Sequence, residues 1–127
     1  MTTKTQKKID NNIIRVLNQV CDQSLEDVAG FQWLTHQANY TNFPASLLIT
    51  CVFDTEANRV HQIEAGGCKV LLQRIQSGLL KVGVKFKSLP QQVLFDSEEA
   101  CEQQHEGDWS VRLASRSGRA VARNRPA

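Results

Sequence analysis

The sequence predicts a small α+β domain, in which a mainly antiparallel sheet carries helices packed on one face. Three observations carry this prediction. Residues 46–53 form a run of apolar and β-branched side chains that is typical of a strand. Asp54 and Thr55, two residues that favour helix N-caps, follow this run directly. Residues 4–28 repeat apolar side chains every three or four positions, as an amphipathic helix does.

The first predicted element is this helix over residues 4–28. Its apolar stripe consists of Ile9, Ile13, Leu17, Val20, Cys21, Leu25 and Val28. Gly30 is expected to end the helix, because glycine adopts a left-handed closing conformation without a Cβ penalty. We interpret the stripe as the face that packs onto the sheet, although a dimerisation helix would show the same pattern.

A hairpin is predicted next. Residues 31–36 alternate as a strand does, and the linker at 37–45 contains the turn formers Asn39, Asn42 and Pro44. The second arm is the apolar run at 46–53. Because both of its faces are apolar, we expect this strand in the interior of the sheet.

Two helices are predicted after the hairpin, over residues 55–65 and 68–82. Gly66 and Gly67 separate them, since a glycine pair is unfavourable inside a helix. The pair does not indicate a phosphate-binding loop, because no Lys-Ser or Lys-Thr follows it.

The remaining elements are short. We predict a strand at residues 84–87, where apolar and basic side chains alternate, and another strand at 91–95. A helix at 98–104 is expected to be capped by Asp96 or Ser97, and a last edge strand is expected at 109–113. The domain organisation that follows is one α+β domain over residues 1–113 and a flexible arginine-rich tail over 114–127.

Composition excludes several classes of protein. The apolar fraction of 41% argues against wholesale disorder, and no apolar run approaches the ~20 residues that cross a bilayer. The N-terminus lacks the apolar centre of a signal peptide, so we expect a cytoplasmic protein and no membrane partner. The four cysteines, Cys21, Cys51, Cys68 and Cys101, contain no Cys-x-x-Cys pair and are interpreted as buried thiols.

Charge is distributed unevenly near the C-terminus. Residues 96–108 contain six carboxylates and no Lys or Arg, whereas residues 109–127 contain five arginines and no acid. Adjacent blocks of opposite sign can attract each other.

Two kinds of partner fit this charge pattern. The first is nucleic acid, bound weakly and in a salt-sensitive way through basic side chains. The candidate residues are Lys85, Lys87, Arg112, Arg116, Arg119, Arg123 and Arg125, with the N-terminal Lys4, Lys7 and Lys8 as further candidates. The alternative is an unidentified protein bound through the acidic segment 96–108, with Glu98, Glu99 and Glu102 as the contact residues.

Enzymatic chemistry is not indicated. The chain has no Gly-x-Ser-x-Gly and no His-Glu-x-x-His, so we expect a non-enzymatic protein without a cofactor. Cys101 and His105 lie four residues apart on a predicted helix, but they are only half of a tetrahedral zinc site. We therefore assign no metal.

Four sequence phrases resemble a known group. They are Gly30-Phe-Gln-Trp-Leu-Thr-His36, Cys51-Val-Phe-Asp-Thr55, Phe95-Asp-Ser-Glu-Glu-Ala-Cys-Glu102 and Gly107-Asp-Trp109. Over roughly residues 8–113 the chain is similar to small proteobacterial proteins of the Fis family of transcriptional regulators. The resemblance implies DNA-binding regulation in the bacterial cytoplasm. Because the predicted C-terminus contains no pair of adjacent helices joined by a tight glycine turn, no DNA-reading residues are carried over.

Overall fold

The computed structural model describes residues 4–116 as an α+β domain. Six helices and three strands follow one another in this order: α1 Lys4–Asp27, β1 Phe31–Gln37, β2 Leu48–Phe53, α2 Glu56–Ala65, α3 Gly67–Lys81, α4 Leu89–Gln92, β3 Val93–Ser97, α5 Glu98–His105 and α6 Trp109–Arg116. A single turn of 3-10 helix, Tyr40–Asn42, lies in the hairpin linker. The predicted α+β class is therefore confirmed.

Helix α1 is amphipathic as predicted, with a stripe rotated slightly from the expected one. Ile13, Val16 and Leu17 are buried, whereas Leu25 is 51% exposed. The position of Leu25 on the core side is taken by Ser24, which is fully buried and accepts a hydrogen bond from Arg74 on α3. The buried position of α1 that faces Arg74 of α3 is therefore polar, not apolar as predicted.

The sheet has the order β1-β2-β3, so β2 is the central strand, as its two apolar faces predict. Strands β1 and β2 pair antiparallel in a hairpin. Strands β2 and β3 pair in parallel, which makes the sheet mixed rather than mainly antiparallel. The reason is the crossover through α2, α3 and α4, which returns the chain to the end of the sheet where β2 began.

Helices cover both faces of the sheet to different extents. On one face Ile49, Cys51 and Phe53 of β2 join a core formed with α1 and α3. On the other face Trp33 of β1 packs edge-to-face against Trp109 of α6, with ring centroids 4.9 Å apart. Gln37 of β1 donates to the carbonyl of Leu113 on the same helix. The prediction that the helices pack on one face of the sheet therefore does not hold for α6.

The predicted strand at residues 84–87 is wrong. This segment is an irregular loop in which Val84 is buried and Lys85 and Lys87 are exposed. The backbone N–H groups of Lys87 and Ser88 donate to the side-chain oxygen of Gln92. A side chain therefore accepts the hydrogen bonds that a neighbouring strand would accept in a sheet. The following strand begins at Val93 rather than 91, because α4 occupies Leu89–Gln92.

The predicted edge strand at residues 109–113 is also wrong, because these residues belong to α6. Asp108 begins the helix, since its side chain accepts from the N–H of Val111 and its carbonyl accepts from the N–H of Arg112. Glu106 and Gly107, both with positive φ, make the tight turn that joins α5 to α6. The expected domain boundary at 113 falls inside α6, and residues 117–127 of the predicted tail lie outside the described residues.

Candidate functional site

The most charged region of the interior lies at the carboxyl end of β3. Asp96, 3% exposed, receives two hydrogen bonds from Arg112 of α6, from Nε at 2.6 Å and from Nη2 at 2.8 Å. Arg116 reaches the same carboxylate at 2.9 Å. The attraction expected between the acidic and basic segments is thus present as a buried ion pair with a second arginine beside it.

The pKa values in this cluster follow from burial and charge. Burial by itself would raise the pKa of Asp96, but hydrogen bonds from Arg112 and from the Ser97 N–H, with the two arginine charges, hold it below its usual value. Burial lowers the pKa of Arg116, and the charge of Asp96 opposes this shift. Both arginines contact the one carboxylate of Asp96, so the cluster has one more guanidinium than carboxylate at this point.

The carboxylate of Glu98, the first residue of α5, is also hydrogen-bonded. Its two carboxylate oxygens accept from the indole N–H groups of Trp33 and Trp109, each at 2.7 Å. The guanidinium of Arg112 also lies over the Trp109 ring, 5.9 Å from its centroid. Glu98 and the two tryptophans therefore join β1, α5 and α6.

A third set of contacts joins α2 to α5. The Ser97 hydroxyl caps α5 by accepting from the N–H of Ala100, and it donates to the carboxylate of Glu56. Arg59 pairs with Glu56 at 2.8 Å, and Glu99 accepts from the Glu56 N–H. These contacts join α2, the end of β3 and the beginning of α5.

The arrangement of Cys101 and His105 does not resemble a ligand set. The Cys101 thiol is buried, and Nδ1 of His105 lies 3.1 Å from a guanidinium nitrogen of Arg112. Within residues 4–116 no group of three or more His, Cys, Asp or Glu side chains is placed to hold a metal ion. Of the other thiols, Cys51 and Cys68 are buried and Cys21 is half-buried.

The seven residues predicted to bind nucleic acid fall into three groups. Arg112 and Arg116 belong to the buried cluster. Lys85 and Lys87 are exposed in the loop between α3 and α4. Arg119, Arg123 and Arg125 lie outside the described residues. Among the described residues, Arg112 and Arg116 therefore contact Asp96, whereas Lys85 and Lys87 lie in a separate loop.

The predicted protein-binding residues differ in exposure. Glu98 is bonded to the tryptophans, whereas Glu99 and Glu102 are exposed on α5. Binding through these carboxylates stays a prediction.

Helices α5 and α6 form a pair that the sequence did not predict, two helices joined by a tight turn containing Gly107. Connectivity of this kind occurs in helix-turn-helix DNA readers. However, the pair exposes many carboxylates, those of Glu99, Glu102, Glu106 and Asp108. Because carboxylates repel phosphates, this surface does not suit DNA.

A basic surface lies elsewhere. Helices α1 and α3 run antiparallel, since Val28 approaches Gly67 and Val16 approaches Gly78. The N-terminal turns of α1 therefore lie beside the end of α3 and the loop that follows it. Six exposed lysines lie on these segments, and we call them the lysine end: Lys4, Lys7, Lys8, Lys81, Lys85 and Lys87.

Few acids are near this surface to neutralise it. Residues 67–95 contain five cationic side chains and no Asp or Glu. The nearest acid on α1 is Asp10, which is held by Tyr40 at 2.6 Å and by His36 at 2.8 Å. Among residues 4–116 no lysine of the lysine end forms an ion pair. The acid-free stretch 67–95 is the sequence signal that could have indicated this surface.

No described helix is both long and apolar enough to cross a bilayer. Comparisons of the chain with protein-family models, with curated proteins and with solved structures found no match.

Proposed function

We propose that this protein is a non-enzymatic, nucleic-acid-associated protein that binds the phosphate backbone through the lysine end. The observation that carries the proposal is the set of six exposed lysines that have no carboxylate partner among the described residues. Exposed lysines without carboxylate partners release counterions from nucleic acid, which gives salt-sensitive affinity without sequence reading.

The proposal differs from the sequence hypothesis in which cations it uses. The proposed binding residues still include Lys85 and Lys87. They no longer include Arg112 and Arg116, because Asp96 binds both. They now also include Lys4, Lys7, Lys8 and Lys81. The three distal arginines, Arg119, Arg123 and Arg125, stay a separate hypothesis whose contribution can be measured independently.

The test is binding of a fluorescent oligonucleotide, followed by anisotropy at several salt concentrations. We expect affinity to fall steeply with salt in the wild-type protein. The triple variant Lys81→Gln, Lys85→Gln, Lys87→Gln should bind more weakly, and its slope of log K against log salt should be smaller by roughly 2 to 3, since each phosphate contact contributes about 0.9.

Two controls separate the surfaces. Lys69 is exposed at the opposite end of α3, so Lys69→Gln should leave binding unchanged where Lys85→Gln weakens it. Truncation after Arg116 removes the distal arginines and leaves the buried cluster intact. No binding at low salt would refute the proposal, and so would loss of binding on truncation combined with unchanged binding in the triple lysine variant.

A further inference from the structure

Helix α1 carries a second apolar stripe that the described part of the fold leaves uncovered. Ile14 is 41% exposed and Leu25 is 51% exposed, and the half-buried Cys21 lies between them. Together with Asn18 these residues are spaced four, three and four positions apart, so they share one face of the helix. Single apolar side chains are normal on a protein surface, whereas a stripe at this spacing is typical of a helix that packs against another helix.

A cleft of about 240 Å³ borders the same face, between α1 and β1. Ile14 and Cys21 line its helix side, and Leu34 and Thr35 line its strand side. Strand β1 is the outer strand of the sheet, and no described strand pairs with its free edge. The stripe therefore lies next to a space that a side chain from a second helix can fill, as in knobs-into-holes packing.

The charges beside the stripe match those of a second copy of α1. Arg15 is exposed in the first half of the helix, and Asp22 and Glu26 are exposed in the second half, seven and eleven positions later on the same flank. Within residues 4–116 none of these three side chains forms an ion pair. When two identical helices pack antiparallel, the same flank of each meets the other in reverse direction. The cation of each copy then faces the two acids of the other.

We infer that this face of α1 is a homodimer interface, in which the α1 helices of two copies pack antiparallel about a two-fold axis between Asn18 and Cys21. In this register Leu25 of each copy packs against Ile14 of the other, at the cleft beside β1. The contact is self-complementary, so two copies close it and the assembly ends at a dimer. The inference is independent of nucleic-acid binding, because none of the interface residues belongs to the lysine end.

The test is the oligomeric state of the full-length protein, measured by sedimentation velocity from about 1 to about 300 μM. We expect a reversible equilibrium between monomer and dimer. Leu25→Lys should raise the dissociation constant of the dimer at least about tenfold, because a charge replaces the apolar contact. The matched control is Leu80→Lys on α3, where the leucine is 56% exposed, and it should leave the dimer unchanged. Far-UV circular dichroism of both variants should match that of the wild type, since neither leucine belongs to the core.

Charge reversal tests the antiparallel register. Arg15→Glu alone should weaken the dimer, and so should Asp22→Arg combined with Glu26→Arg, because each variant gives the shared flank a single sign of charge. A chain with all three substitutions should dimerise like the wild type. An equimolar mixture of the two weakened variants should form a heterodimer, since their flanks have opposite charge.

Three results would overturn the inference. The first is a wild-type protein that stays monomeric at every concentration. The second is a dimer that Leu25→Lys leaves intact, and the third is a chain with all three charge reversals that remains monomeric. Oligonucleotide binding by the lysine end is measured separately, so the failure of either proposal leaves the other standing.

Discussion

Asp96 shows how one residue decides the position of an element. Its carboxylate is buried at the end of β3 and is the common partner of Arg112 and Arg116, which lie one turn apart on α6. A charge in this environment is stable only when its partners are present, because burial removes the water that would otherwise solvate it. The position of α6 is therefore linked to the ionisation of a single side chain.

We predict that Asp96→Asn destabilises the protein by about 3 kcal/mol, because the substitution leaves a buried guanidinium without its counter-ion. The free energy of unfolding, measured by urea denaturation at pH 7, checks this. Glu102→Gln changes the charge in the same way at an exposed position of α5 and should alter stability by less than about 0.5 kcal/mol. A loss below about 1 kcal/mol for Asp96→Asn would show that the ion pair does not hold α6.

At the scale of elements, the sequence predicted what local pattern determines. The hairpin, the central position of β2 and the break between α2 and α3 all follow from apolar runs and from glycine. The prediction of a strand at residues 109–113 is wrong because alternation over five residues also fits a helix, in which Trp109 and Leu113 share a face. Burial of Arg112 in that helix depends on Asp96, a partner that periodicity does not show.

The candidate surfaces were harder to predict than the strands. The lysine end combines the beginning of α1 with the end of α3 and the loop after it, segments that are far apart in the sequence. Antiparallel packing of two helices brings them together, and no local pattern encodes that packing. The close approach of α1 to α3 depends in addition on Gly78, which the sequence shows only as a glycine within a helical repeat.

The turn between α1 and β1 provides a test at this scale. Gly30 has φ +85°, and a Cβ there would lie 2.7 Å from Cβ of Asn58, whose amide is bonded to Asp54. Gly83 has nearly the same φ of +84° with no atom within 4 Å of an added Cβ. We expect Gly83→Ala to cost about 1 kcal/mol from backbone strain alone and Gly30→Ala to cost at least about 2 kcal/mol, because the contact adds to the strain. Equal losses in chemical denaturation would mean that Asn58 moves aside freely.

At the scale of the whole molecule, exposed charge is distributed unevenly over the described residues. The lysine end carries exposed cations, whereas the exposed acids of α5 and the following turn lie on a different part of the fold. A net charge of only +2 conceals this arrangement, so overall composition underestimates the attraction of an anionic partner to one surface. If the lysine end binds nucleic acid as proposed, the exposed acids of the α5–α6 pair disfavour contact on their side of the fold.

Acid stability follows from the carboxylates that the fold holds ionised. The pKa of Asp10 is lowered by its hydrogen bond from Tyr40, and that of Glu56 by its hydrogen bonds from Arg59. The pKa of Asp96 is lowered by Arg112 and Arg116 against the opposing effect of burial. A carboxyl whose folded pKa lies below its unfolded value stabilises the fold above that unfolded value, and this contribution is lost as pH falls through the folded pKa.

The unfolded values are about 3.9 for Asp and about 4.3 for Glu, so stability should be nearly constant from pH 7 to about 5 and should fall steadily below about 4. Urea midpoints measured from pH 7 to pH 3 check this. The variant Asp96→Asn, less stable at pH 7, should show a shallower decline, because the contribution of this buried carboxylate is already absent. A wild-type midpoint that stays level or rises toward pH 3 would contradict the ionised cluster, and parallel curves for the two proteins would show that Asp96 does not contribute to the acid transition.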